Sequence, residues 1–252
     1  MDSLPQMQPG GTPRAPAPPV WEVALRRQLR HGSSRFDLDV RFASTASRVA
    51  LFGPSGAGKT QTLRMICGIT PPDSGRVALA GRVLFDREAG VSLSPQQRRL
   101  AYVFQDYALF PHLSVKQNIA FACRHGWRNP PLRMQEPRAD VWIERFGLQA
   151  VCNHYPHQIS GGQRQRTALA RALVTEPAAL LLDEPFAALD GALRRQLRTE
   201  LLQLQQSLQL PLLLITHDDD DLAQLAEQVV CLAGGRVAAC NDARLGLDAC
   251  AA

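Results

Sequence analysis

Residues 53–60 read Gly53-Pro54-Ser55-Gly56-Ala57-Gly58-Lys59-Thr60. The spacing fits G-x-x-x-x-G-K-[ST], the phosphate-binding loop of nucleotide hydrolases. Glycines at these positions let the backbone curl so that successive N–H groups point inward at phosphate oxygens. Lys59 is placed to reach the β- and γ-phosphates, and the Thr60 hydroxyl to bind Mg2+. The alternative is a glycine-rich turn that binds nothing, and the flanking residues argue against it. Residues 47–52 read as a short buried strand, and residues 61–67 continue as a helix whose positive end aims at the same place.

A second candidate, Leu180-Leu181-Leu182-Asp183-Glu184, is an apolar strand ending in two adjacent carboxylates. Asp183 is placed to hold Mg2+ directly or through water, and Glu184 to polarise a water for in-line attack on the γ-phosphate. Two acids after a strand can also merely cap the next turn, but the phosphate loop elsewhere in the chain favours the chemical reading. Third, Ser160-Gly161-Gly162-Gln163-Arg164 opens a helix. Ser160 can cap it, and Gly161 and Gly162 expose backbone N–H groups for another anion. Alone, these residues fit a plain helix start; the whole string from Ile159 to Arg166 tips the balance. His154 and His157 lie in a polar loop with no cysteine or carboxylate at ligand spacing, and read as surface residues.

The elements that must carry these residues fit one domain with a sizeable insertion, for which 252 residues suffice. Apolar content is 45%, ordinary for a globular chain, and no apolar run approaches the ~20 residues of a membrane-spanning helix. The N-terminus has no apolar stretch, so no secretory signal is expected. Six scattered cysteines without a C-x-x-C pair suit reduced cytosolic thiols better than a disulfide frame or a zinc site. The net charge of +5 is spread along the chain, without a basic block interleaved with aromatics, so no nucleic-acid partner is expected.

Residues 1–20 are proline-rich and read as a disordered tail. Two strands are expected over 21–42 with a turn at 30–34, then strands at 77–79, 83–85 and 100–104. Residues 106–159 change character and read as a helical insertion, with helices near 114–124 and 139–146. A helix over 161–175 leads to a central strand at 178–182. Leu193, Leu197, Leu201, Leu204 and Leu208 form an amphipathic stripe. Strands at 212–215, 229–232 and 236–239 follow, and 241–252 is a tail. Alternating strands and helices argue for an α/β fold with a mainly parallel sheet core covered on both faces.

Taken in order, the motifs resemble the ATP-binding subunits of ABC transporters over about residues 22–240. Ser160–Gln163 corresponds to the signature string of that family, Gln105 to the Q-loop, Ala188-Leu189-Asp190 to the D-loop and His217 to the switch histidine. The resemblance implies a P-loop cassette over 21–240 with an N-terminal antiparallel part, ATP and Mg2+ as ligands, and ATP hydrolysis. Gln105, ending a buried strand, would sense the Mg2+ and water and move the insertion. His217 would contact the γ-phosphate and hold Glu184 and the water in line. The resemblance further implies a head-to-tail dimer in which Ser160 and Gly162 of one copy meet the γ-phosphate held by the other. Other implied partners are transmembrane permease subunits, docked near residues 107–112, and indirectly a substrate-binding protein. The place of action would be the cytoplasmic face of the inner membrane, as a peripheral subunit.

Residues 81–112 are most similar to the molybdate importers, with parts shared by sulfate, tungstate, phosphonate, iron and polyamine importers. Two departures stand out. The similarity covers the cassette and not the C-terminal oxyanion-binding β-barrel usual in molybdate subunits. Leu29-Arg30-His31 stands where the family commonly stacks an aromatic on adenine, leaving His31 or Arg30 as substitutes. Non-transporting relatives in DNA repair or translation carry long coiled-coil insertions or paired cassettes, which this chain lacks.

Overall fold

The computed structural model describes residues 18–31, 34–123, 129–131, 135–187 and 189–242. Most of the proline-rich tail, the C-terminal tail from 243, much of the connector after 123 and the D-loop Ala188 therefore lie outside the described residues.

The alternation Phe36, Leu38, Val40, Phe42 builds one arm of a hairpin, β1 (Trp21–His31) with β2 (Ser34–Ser44). The chain then forms β3 (Arg48–Phe52), α1 (Lys59–Cys67), β4 (Ser74–Leu79), β5 (Arg82–Asp86), β6 (Val91–Ser92), α2 (Pro95–Arg98) and β7 (Leu100–Val103). Next come α3 (Val115–Phe121), α4 (Pro137–Arg145), α5 (Gly161–Leu173), β8 (Ala179–Asp183), α6 (Gly191–Leu208) and β9 (Leu212–Ile215). The last elements are α7 (Asp219–Leu225), β10 (Gln228–Ala233) and β11 (Arg236–Asp242).

All described strands join one sheet in the order β6-β5-β4-β1-β2-β11-β10-β3-β9-β8-β7. The wall β10-β3-β9-β8-β7 is parallel throughout. The other arm is antiparallel, and the β11–β2 contact joining the two arms is a single parallel pair, Arg236 with Asp39. Every residue of β8 and β9 is buried, as expected of parallel strands covered on both faces.

The two faces have separate cores. Leu63, Met65 and Ile66 of α1 pack with Leu51, Leu181, Leu213 and Ile215 on one side. On the other, Leu169 of α5, Leu197 and Leu201 of α6 and Leu222 of α7 cover Leu180, Leu182 and Leu214. A third cluster joins Val115 and Ile119 of α3, Ala139 and Ile143 of α4, and Ala170 of α5. Helix α5 thus belongs to both the sheet and the helical segment, whose remaining turns are 3-10 turns at Gln149–Val151 and Pro156–Gln158.

Two findings depart from the sequence reading. The sequence reading assigns no element between His217 and the strand at 229–232, and α7 forms there. Asp218 accepts a hydrogen bond from the Asp221 N–H, and three more acids fill the first turn, where the positive end of the helix favours them. Among the cysteines, Cys67, Cys123, Cys152 and Cys240 are free thiols, but Cys231 is disulfide-bonded; scatter along the sequence does not report proximity in space. The far end of α1 is closed by buried Arg98, whose Nη1 donates to the Met65 and Ile66 carbonyls at 2.7 and 2.6 Å. A cation is well placed at that negative helix end.

Candidate functional site

Residues 53–58 join β3 to α1. The loop lies so close to β10 that a Cβ on Gly53 would stand 2.1 Å from the Leu232 carbonyl oxygen, and Gly53 itself has φ +143°. Only glycine fits there. Lys59 is buried, and its Nζ donates to the Gly53 and Pro54 carbonyls at 2.7 and 3.0 Å. Burial holds the Lys59 ammonium below its usual pKa, opposed by the charges of Glu184 and Asp183. Its two carbonyl contacts leave one of its three protons for a further acceptor.

Asp183, buried at the end of β8, lies between two hydroxyl donors. Thr60 Oγ1 donates to its Oδ1 at 3.0 Å, and the Tyr102 hydroxyl to its Oδ2 at 2.8 Å. Burial raises the Asp183 carboxyl above the ordinary range, against the lowering effect of these two donors. Burial, together with the neighbouring Asp183 charge, pushes the Tyr102 phenol up, so Tyr102 remains a donor. A hydroxyl and a carboxylate beside a phosphate loop form the hard oxygen donor set that Mg2+ takes, usually completed by substrate phosphates and water.

Glu184 adopts φ +46°, a left-handed conformation rare for this residue type. Its N–H donates to the Ile215 carbonyl at 3.0 Å, tying the end of β8 to β9. His217, just past β9, places Nδ1 3.4 Å from Glu184 Oε2. A cleft of about 340 Å³ is lined by Ser55 to Gln61, Glu184, Leu29 and Phe36.

Not every candidate enters that cleft. Gln105 is exposed in the turn after β7, and its side chain makes no hydrogen bond among the described residues. Ser160 and Gln163 form a reciprocal capping box at the start of α5. Gly161 and Gly162 abut α6 and the turn before it, where a Cβ on Gly162 would meet Leu193 at 3.0 Å. None of these four lines the cleft. Asp190 caps α6, accepting from the Ala192 and Leu193 N–H groups. Among the described residues no group of three or more His, Cys, Asp or Glu side chains is placed to hold a metal ion.

Three residues the sequence reading passed over belong here. Phe36 faces Leu29 across the hairpin and brings an aromatic ring to the cleft; Arg30, by contrast, is exposed and bonded to Gln28. The alternating β2 pattern identified Phe36 only as a face residue, and the hairpin register was needed to place it beside Gly58. Arg171 of α5 donates to the Tyr107 and Ala108 carbonyls, both at 2.7 Å, and lies over the Phe110 ring, tying the turn after Gln105 to α5. Burial lowers its pKa to about 10. The third is Tyr102.

A strand–loop–helix with this lysine, on a parallel sheet whose nearby strand ends in two acids, defines a P-loop nucleotide-binding domain. Residues 38–187 match the family described as ABC transporter. The chain belongs to that family. It is 40% identical over 215 residues to the Molybdenum import ATP-binding protein ModC of Paramagnetospirillum magneticum, an alignment covering 85% of this chain and 58% of that protein. It is 43% identical over 201 residues to the Sulfate/thiosulfate import ATP-binding protein CysA of Thermosynechococcus vestitus, covering 80% of this chain and 56% of that one. The chain thus spans less than two thirds of the length of these relatives. Among solved structures it resembles the ATP-binding cassette MJ0796, in a dimeric post-hydrolysis state bound to ADP and Pi. There the TM-score is 0.72 with 27% identity, over 90% of this chain and 99% of that one.

Proposed function

We propose that the chain is the ATP-hydrolysing subunit of an importer, working as a head-to-tail pair on ATP and Mg2+, with molybdate as the transported ion. The observation that carries the reading is a cleft lined by Lys59, Thr60 and Glu184, with Asp183 hydrogen-bonded to Thr60 and His217 Nδ1 3.4 Å from Glu184.

In this reading the N–H groups of residues 55–60 and the Lys59 ammonium bind the β- and γ-phosphates. Thr60 and Asp183 hold Mg2+, which when bound neutralises charge on the phosphate oxygens. Glu184 orients the attacking water and takes its proton, while His217 keeps the carboxylate in line. Gln105 reaches this centre by movement of its exposed turn, and Arg171 transmits that movement to α5. Ser160 to Gln163 stand outside their own cleft, which suits a role on the ATP of a second copy. Because only the intact γ-phosphate bridges both copies, its hydrolysis releases them.

Phe36 is read as the base platform. Phe36→Ala is expected to weaken ATP binding about 10-fold or more, the usual worth of base stacking on an aromatic ring. Titration with a fluorescent ATP analogue checks this, and parent affinity in the variant would assign the base contact elsewhere. For the permease, the surface around Phe110 is the docking site, seated on α5 through Arg171 and on α3 through Phe121, whose ring centroid is 4.6 Å away. Phe110→Glu is expected to abolish transport while leaving nucleotide binding intact; loss of nucleotide binding would count against this placement. No helix among the described residues is long and apolar enough to cross a membrane, which suits a peripheral subunit on the cytoplasmic face.

The choice of molybdate rests on the relatives named for molybdenum import, and sulfate is favoured second by the relative named for sulfate and thiosulfate. Deleting the gene and measuring cellular molybdenum tests the choice. A deficit at scarce molybdate, restored by the intact gene and not by a Lys59→Ala version, is the expected result. Unchanged molybdenum would move the substrate to sulfate or another ion.

A further inference from the structure

We propose that Tyr102 is a positioning residue of the Mg2+ site, fixing the rotation of the Asp183 carboxylate. The inference deepens the nucleotide-site reading above and rests on it. Both carboxylate oxygens of Asp183 are engaged, each by a different element: Oδ1 by Thr60 at the start of α1, and Oδ2 by Tyr102 on β7. Strand β7 is the outermost of the parallel wall, and Tyr102 pairs with Leu181, two residues before Asp183. Its ring packs at 4.5 Å, tilted, against Phe104, so the hydroxyl is presented from a partly buried anchor.

A carboxylate held at one oxygen alone can still turn about its Cβ–Cγ bond. The second donor removes that freedom and leaves Oδ1 directed at the Thr60 hydroxyl. Thr60 gives its proton to Asp183, so its own lone pairs remain for the cation. A cation at Thr60 therefore meets a carboxylate already oriented, and a phenylalanine at 102 would keep the packing while losing the orientation. Partners of this outer kind typically change metal affinity by 10–100-fold.

The test is Tyr102→Phe, which keeps the ring against Phe104. ATP binding is titrated with Mg2+ at fixed nucleotide, and Mn2+ binding to the ATP-loaded protein is followed by electron paramagnetic resonance. The expected result is a shift of about 10-fold or more in the metal concentration at half-saturation. ATP binding in EDTA should match the parent. A variant with the parent's metal dependence overturns the assignment. So does one that loses binding equally with and without metal, since that marks a packing role. A parent protein that binds no ATP with or without Mg2+ would overturn the nucleotide-site reading itself, whereas ATP binding that ignores Mg2+ would overturn the Tyr102 assignment alone, so the two failures are distinguishable.

Discussion

Glu184→Gln is expected to lower ATP turnover by about 10²–10⁴-fold, the range for loss of a general base, while ATP binding persists. The substitution changes almost nothing but basicity. Residue 184 is pinned by its N–H to the Ile215 carbonyl, and its side chain lines the cleft beside His217. Glutamine has the same length and can still orient a water, but it cannot accept the proton that in-line attack must release. Phosphate release by the purified protein, read beside an ATP titration, checks both halves. Parent-rate turnover would assign the base to another group.

The second large effect concerns stability. Arg198 and Asp221 are a buried ion pair, with side chains 2% and 4% exposed, and Arg198 Nε stands 2.8 Å from Asp221 Oδ1. Asp221 Oδ2 also accepts from the Thr216 hydroxyl at 2.7 Å, and Thr216 Oγ1 accepts from the Asp218 N–H at 3.1 Å. The pair therefore fixes both α7 against α6 and the turn that carries His217. Arg198→Met leaves a buried carboxylate without its cation, which costs about 3–5 kcal/mol. At roughly 2–4 °C per kcal/mol for a domain of this size, the melting temperature should fall by about 6–20 °C. Arg198→Met combined with Asp221→Leu removes both charges and should recover much of the loss. Calorimetry of the three proteins checks the pattern, and a single variant melting with the parent would show the pair to be energetically idle.

Much of this was legible because its signals are local. The octapeptide at 53–60 carries its own flanking strand and helix, the run 178–182 is apolar throughout, and the leucine stripe names α6. Even that stripe overreaches at its end, where Leu208 is 36% exposed as the helix runs past its neighbours. What stayed hidden depends on which distant elements lie side by side. Tyr102 meets Asp183 because β7 pairs with β8, and Phe36 reaches the cleft through its register with Leu29. Neither pairing can be read from spacing alone. Arg198 is not part of the leucine stripe of α6, yet it is buried against α7, and α7 itself opens on a run of four acids.

The proposal that two copies share each ATP is tested most directly by sedimentation velocity of the Glu184→Gln protein alone, with ADP, and with ATP–Mg2+. The 27.7 kDa chain is predicted to sediment as a monomer in the first two conditions and as a dimer only with ATP–Mg2+. A monomer that binds ATP yet never dimerises would contradict the shared site.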